Sequence, residues 1–179
     1  EALRVGIKRR RSGPVTEIVT RDVRLDRLPA MTCWPEDGGP FLTLPLVYTE
    51  HPDGHGHNLG MYRIQIHDEK TTGIHWQIGK GGGYHYAVAE ARDAALPATI
   101  FLGGPPGLTL AAIAPLPENL PELLLASLIA GERLAMVRGS GAPGGRDPVA
   151  GAEFALGGEV PPRRRRRARR MPPVRGLAP

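Results

Sequence analysis

Turn-forming clusters divide this chain into short pieces, and they constrain its fold more than any other feature. Trp34-Pro-Glu-Asp-Gly-Gly-Pro40, His51-Pro-Asp-Gly-His-Gly-His57, Gly79-Lys-Gly-Gly-Gly83 and Gly103-Gly-Pro-Pro-Gly107 fall between apolar segments. Glycine opens backbone conformations closed to other residues and proline removes a backbone donor, so this punctuation is incompatible with a long-helix bundle. The 24 glycines and 19 prolines among 179 residues favour short strands, a few helices and many loops. The length suits one domain with a core, plus tails.

The pieces between the clusters read as follows. Residues 16–25 alternate and predict a strand, and residues 41–48 predict an apolar strand that Pro45 confines to an edge or a bulge. Residues 58–68 alternate, with Met61, Arg63, Gln65 and His67 on one face and Tyr62, Ile64 and Ile66 on the other. Residues 72–78 read as the antiparallel partner of that strand. Helices are expected over 84–95, 108–114 and 119–130, the last stopped by Gly131. Further strands are expected over 97–102, 133–138 and 153–160. Strands and helices without regular β-α-β alternation place the chain in the α+β class, β-rich, as a mixed domain or a decorated barrel.

Charge is unevenly distributed. The formal net charge is +5, a value that invites a nucleic-acid reading. Eight of the 23 basic residues are arginines within 161–179, and the other 160 residues carry 15 basic against 18 acidic side chains. The body is therefore mildly acidic and nucleic acid is not its expected partner; a basic arm binding acidic partners is the lesser reading of the tail. No apolar run approaches the ~20 residues of a membrane span, and the N-terminus lacks the apolar core of a signal peptide. The single Cys33 excludes an internal disulfide, is expected to be a small packed side chain, and fits a cytoplasmic setting.

Four residues stand out as carriers of chemistry: Asn58, Arg63, His75 and Glu122. Arg63 lies mid-strand among apolar neighbours and needs an anionic partner. Glu50 or Asp68 would make it structural; a phosphate or a carboxylate substrate, which the guanidinium matches bidentately, would make it functional. Glu122 follows Asn119 by three residues, a capping-box variant at a helix start, with metal ligation as the alternative. The three glycines after Lys80 would let a phosphate approach backbone N–H groups. His51, His55 and His57 raise a zinc site, but no second ligand cluster at familiar spacing completes it, and solvent-exposed turn histidines are the expected reading.

Over residues 28–137 the sequence resembles the UbiD family of carboxy-lyases. The resemblance is carried by Trp34-Pro-Glu-Asp-Gly-Gly-Pro-Phe41, Thr43-Leu-Pro-Leu46, Asn58-Leu-Gly-Met-Tyr-Arg63, Thr72-Gly-Ile-His-Trp-Gln77, Pro97-Ala-Thr, Leu116-Pro-Glu and Glu122. It implies a split β-barrel with peripheral helices, similar to flavin reductases, over residues 28–160, preceded by a lead-in over 1–27 and followed by an Arg/Pro-rich tail over 161–179. It further implies prenylated FMN (or FMN) as cofactor, with Mn2+ and a K+ ion beside it. Asn58 and Glu122 match metal ligands. Met61, Tyr62, Arg63, His75, Trp76, Gln77, Lys80 and Gly81 match cofactor-binding positions, and Ala114 and Pro115 match a loop near the flavin. Arg63 also matches the arginine that orients the substrate carboxylate, which makes it the catalytic candidate.

The activity implied is non-oxidative decarboxylation of an aromatic or α,β-unsaturated acid of the 4-hydroxybenzoate type. The protein is expected to be a homo-oligomer. Two departures from the pattern matter. Gly79 stands where the family commonly has a histidine, so His75 or His85 would have to complete the metal shell. No acidic residue follows Glu159, where the family's proton-transfer carboxylates are expected. The abrupt change to Arg, Pro and Ala fits an out-of-frame reading of a GC-rich gene, and the tail is expected to be disordered. A non-catalytic flavin-binding or structural fragment is the alternative reading.

Overall fold

The computed structural model describes residues 5–77, 79–117, 120–138 and 146–165. Nine strands and three α-helices are present among them: β1 (Ile7–Arg10), β2 (Phe41–Leu42), β3 (Leu46–Glu50), β4 (His57–Met61), β5 (Ile64–Ile66), β6 (Thr72–Ile74), α1 (Gly81–Ala91), β7 (Leu96–Leu102), α2 (Pro106–Ile113), α3 (Glu122–Ala130), β8 (Leu134–Val137) and β9 (Phe154–Val160). The strands form three sheets: a parallel β1-β8 pair, an antiparallel β2-β5-β6 sheet, and an antiparallel sheet in the order β4-β3-β7-β9.

The four-stranded sheet is buried on both faces, and strand alternation decides which residue goes where. Leu46, Tyr48, Leu59 and Phe101 face α2, α3 and β8, where they meet Leu108, Leu123, Ala126 and Met136. Val47 and Ala98 face the other way, onto Leu42, Tyr62, Ile64 and Ile66 from the three-stranded sheet. Helix α1 covers the end of this second layer through Tyr86 and Ala89, which pack on Leu96 of β7, with Trp76 against them. Val149, in the long loop after β8, bridges Met136 and completes the first core.

The mixed, β-rich class agrees with the sequence reading. The described strands do not close into a barrel. Residues 16–25 are not a strand: they hold a short 3-10 turn at each end, and Ile18 is 88% exposed, so the alternation there has no sheet to face. The continuous strand expected over 58–68 is two strands, β4 on β3 and β5 on β2 and β6, with Tyr62 and Arg63 where the chain passes between sheets. Pro45 likewise separates β2 from β3. Cys33 is exposed rather than packed.

The helix expected from residue 84 begins three residues earlier, at Gly81. The glycines open the helix instead of interrupting it, because the first turn is too crowded for side chains. A Cβ on Gly81 would overlap Asn58 Oδ1, and one on Gly82 would sit 2.6 Å from the Trp76 ring. Helix α3 starts at Glu122 behind Pro121, and its end at Gly131 (φ 68°) is as expected, a left-handed cap that glycine adopts freely. Asn119, the expected cap, lies outside the described residues.

Candidate functional site

Strand β4 and the starts of α1 and α3 bring three polar groups to one place. Asn58 lies opposite Thr49 in the β3–β4 register and is buried. Its Oδ1 rests against Gly81, at the N-terminus of α1. Its Nδ2 is buried and meets no acceptor at full hydrogen-bond geometry, although the Asn58 side chain acts on the Tyr62 hydroxyl. Glu122, the first residue of α3, reaches across to accept the Leu59 N–H at Oε2, 3.2 Å. Burial pushes the Glu122 carboxyl above the usual carboxylate range, with hydrogen bonds from the backbone working against that rise.

Tyr62 closes the cluster. Its ring lies over Gly60, where a Cβ would stand 2.5 Å from it, and meets Trp76 edge-on at 5.0 Å. The hydroxyl comes within 3.0 Å of where a Gly82 Cβ would be. Burial raises the Tyr62 pKa, while the Asn58 side chain and the Gly82 backbone hold it back. The Trp76 Nε1 is also buried without a partner.

This cradle fits an anionic, phosphate-bearing cofactor with a divalent cation. A helix N-terminus presents backbone N–H groups free of intrahelical bonds, and glycines put no side chain between them and an anion. Oxygen donors from a carboxylate and an amide suit a hard cation of the Mg2+ or Mn2+ type. Such a cation would also neutralise the Glu122 carboxylate, whose burial otherwise favours the protonated form.

The remaining expected residues divide into two groups. Met61 is half-buried and packs on the first core. Trp76 is shared between the cradle and a groove of about 2090 Å³ between the lead-in, β6, α1 and β9; exposed His75 and Gln77 lie on the groove wall, while Asn58, Tyr62 and Glu122 do not line it. This groove and the polar cluster are therefore different places, and two of the three unpartnered buried side-chain atoms among the described residues, Asn58 Nδ2 and Trp76 Nε1, belong to the cluster. Lys80 is exposed at the N-cap position of α1. Ala114 and Pro115 follow α2 with only local backbone bonds, such as Ala114 N–H to Ala111 O at 3.2 Å.

The carboxylate that Arg63 meets is Asp37, rather than Glu50 or Asp68. Its Nη2 donates to Asp37 Oδ2 at 2.8 Å, and its guanidinium lies 3.7 Å over the Phe41 ring. The Asp37 side chain is only 6% exposed. The Arg63 guanidinium, with the Trp34 and Cys33 amides, holds its carboxyl below the usual range. Asp37 was missed in the sequence, although it sits in the Trp34-Pro-Glu-Asp-Gly-Gly turn; no local spacing rule connects it to a residue 26 positions away.

Of the two histidines named as substitutes for the one absent at Gly79, His75 is exposed in the groove. His85 is buried, 2.9 Å from Thr49 Oγ1 through Nδ1, and burial depresses its pKa to about 4. The turn histidines are not all in solvent: His51 is buried, and His57 packs on Tyr48 with its Nε2 buried and unpartnered.

The fold and these motifs match known proteins. The family model for the 3-octaprenyl-4-hydroxybenzoate carboxy-lyase Rift-related domain (UbiD) matches residues 7–171. The chain belongs to the UbiD family. It is 48% identical over 162 residues to one subunit of the 4-hydroxybenzoate decarboxylase of Chlamydia pneumoniae, covering 90% of this chain and 27% of that protein. An uncharacterised protein of Chlamydia muridarum is 50% identical over 157 residues, with 87% and 27% covered.

Among solved structures, the closed form of the vanillic acid decarboxylase of Sedimentibacter hydroxybenzoicus superposes with a TM-score of 0.79 at 28% identity, covering 89% of this chain and 35% of that one. The UbiD-class enzyme HmfF of Pelotomaculum thermopropionicum, in complex with prFMN, gives a TM-score of 0.80 at 24% identity, with 89% and 37% covered; this second likeness is one of fold. The chain thus spans about a quarter of the length of the curated relatives it matches. No helix among the described residues is long and apolar enough to cross a membrane.

Proposed function

We propose that this chain is the cofactor-binding part of a UbiD-type decarboxylase. In this reading it holds prenylated FMN, or FMN, through a divalent metal at Asn58 and Glu122. The observation that carries the reading is the buried Asn58 amide, whose Nδ2 makes no well-formed hydrogen bond, set between the glycine-lined start of α1 and the half-buried Glu122 carboxylate. Leaving such a group unsatisfied costs roughly 1–3 kcal/mol, and a bound metal–phosphate pair would supply the missing partners. The three sheets are then partial walls of a split barrel.

Prenylated FMN, when bound, supplies the electron sink for the carbanion equivalent left as CO2 departs. The residues of the chain bind and orient. Asn58 and Glu122 hold the cation, manganese-type in its oxygen preference, and the N–H groups of Gly81 to Gly83 face the phosphate. Trp76 and Tyr62 wall off water on the apolar side. Arg63, strand-mounted and braced by Asp37 and Phe41, orients the carboxylate of an aromatic or α,β-unsaturated acid of the 4-hydroxybenzoate type. Asp37 is held ionised by Arg63 and is not the proton donor at neutral pH.

The test is an FMN titration followed by flavin fluorescence, with and without Mn2+. Saturable, Mn2+-dependent quenching, lost in Asn58→Ala and Glu122→Gln, is the expected result. Flavin that stays fully fluorescent at saturating Mn2+ would overturn the reading and leave a structural fragment.

A further inference from the structure

The turn between β3 and β4 lies outside the cradle, and the chemistry above uses none of it. It is a tight frame: His51 N–H donates to Gly56 O and Gly54 N–H donates to His51 O, each at 2.9 Å. Gly54 (φ 76°) and Gly56 (φ 107°) take the left-handed conformations that let the chain reverse there. Within this frame the donor atoms of His51, Asp53 and His55 all lie within 4.8 Å of one another.

We propose that His51, Asp53 and His55 form a three-ligand site for a borderline transition-metal ion of the zinc class. Two imidazoles and one carboxylate, with a fourth position open to water, are a donor set such ions accept. Hard ions that demand all-oxygen shells would not select it. Donors about 2.0–2.2 Å from a tetrahedral ion stand roughly 3.3–3.5 Å apart, and His51 Nδ1 is already 3.9 Å from an Asp53 carboxylate oxygen.

Two features preorganise the ligands. His51 is 7% exposed and its ring is gripped by His85, edge-on at 5.3 Å, and by Tyr84 at 5.4 Å. The Asp53 N–H reaches His51 Nδ1 at 3.0 Å, so that nitrogen carries the lone pair a metal needs, and the ion takes the place of this hydrogen bond. The exposed His55 ring lies tilted at 57° to the His51 ring, 5.0 Å away. His57 is not a member: it has already entered β4 and faces Tyr48.

One group opposes the site. Arg92, at the end of α1, holds the Asp53 carboxylate at 2.5 Å. It keeps Asp53 ionised but competes with a cation for the same oxygens. Arg92 is therefore the residue that sets the affinity, and an ion bound here would close the turn that leads directly into Asn58.

The experiment uses the full, untagged chain and Co2+ as a spectroscopic stand-in. One Co2+ per chain is expected, with the visible absorption of a low-coordinate site, displaced by Zn2+ and indifferent to excess Mg2+. His55→Ala and Asp53→Asn, both at exposed positions, should each weaken it by about tenfold or more. Arg92→Ala should tighten it, which a merely structural turn would not do. Glu122→Gln should leave it unchanged, which separates this site from the cradle. Absence of the absorption band in the wild-type chain, or Co2+ binding unaltered in both His55→Ala and Asp53→Asn, would overturn the proposal.

Discussion

The cradle and the contacts that flank it are built from the same kinds of residue, yet they are satisfied in opposite ways. At the cradle, Asn58 Nδ2 and Trp76 Nε1 are buried without a well-formed hydrogen bond, and Glu122 is half-buried with only backbone donors. Directly across the β3–β4 pair, Thr49 and His85 satisfy each other at 2.9 Å. A few residues along the chain, Arg63 and Asp37 do the same at 2.8 Å. Folded proteins rarely leave buried polar groups unpaired, so under the proposed function the contrast separates candidate ligand-binding groups from groups that hold the frame.

Acid should break the closed set first. His85 has a folded pKa of about 4 against an ordinary value of 6.5, so the unfolded chain binds the proton before the folded one does. Its contribution is fully present above about pH 6.5 and is lost as pH falls toward 4, by up to about 3 kcal/mol. Glu122, with a raised pKa, has the opposite sign: its burden on the fold is relieved as pH falls. Urea denaturation across pH 4–7 should show the loss in the wild-type chain, and a flatter profile in His85→Gln.

Crowding at the cradle sets the next effect. A Cβ at Gly82 would press on the Trp76 ring at 2.6 Å and the Tyr62 hydroxyl at 3.0 Å. Overpacking costs ~1–3 kcal/mol, which exceeds the ~1 kcal/mol that alanine gains in a helix. Gly82→Ala should therefore lower stability by up to about 2 kcal/mol in denaturant titration and abolish flavin quenching.

Asn58→Leu tests the comparison with the sign reversed. Replacing an unsatisfied buried amide by an apolar group of similar shape should leave stability unchanged or raise it by about 1 kcal/mol, while Mn2+-dependent flavin binding disappears. The same substitution at a satisfied position would destabilise. The smallest stability effect is expected for Asp37→Asn, because its partner Arg63 is 45% exposed and such pairs contribute little. Its consequence should instead be weaker binding of a benzoate-type carboxylate, read by calorimetry on the flavin-loaded chain.

Much of this was legible in the sequence, and the reasons are local. Strands β7, β8 and β9 and helix α2 fall within a few residues of their expected ranges, because apolar periodicity and glycine or proline boundaries are properties of neighbouring residues. Failures occurred where the outcome depended on distant partners. Residues 16–25 alternate as a strand does but find no sheet edge. The alternation over 58–68 is real, yet two different sheets take its halves. Cys33 and the turn histidines exchanged places relative to expectation, the thiol being exposed and His51 buried.

The sequence by itself determined the family and the β-rich class, and it singled out Asn58 and Glu122 as candidates, since ordered motifs and turn chemistry survive without coordinates. It could not say that the Gly81–Gly83 run starts a helix against Asn58, or that Arg63 would meet Asp37. Nor could it say that Asp53 would join His51 and His55. Those outcomes rest on side-chain distances between residues far apart in the chain or turned by the backbone, and only close packing in three dimensions sets them.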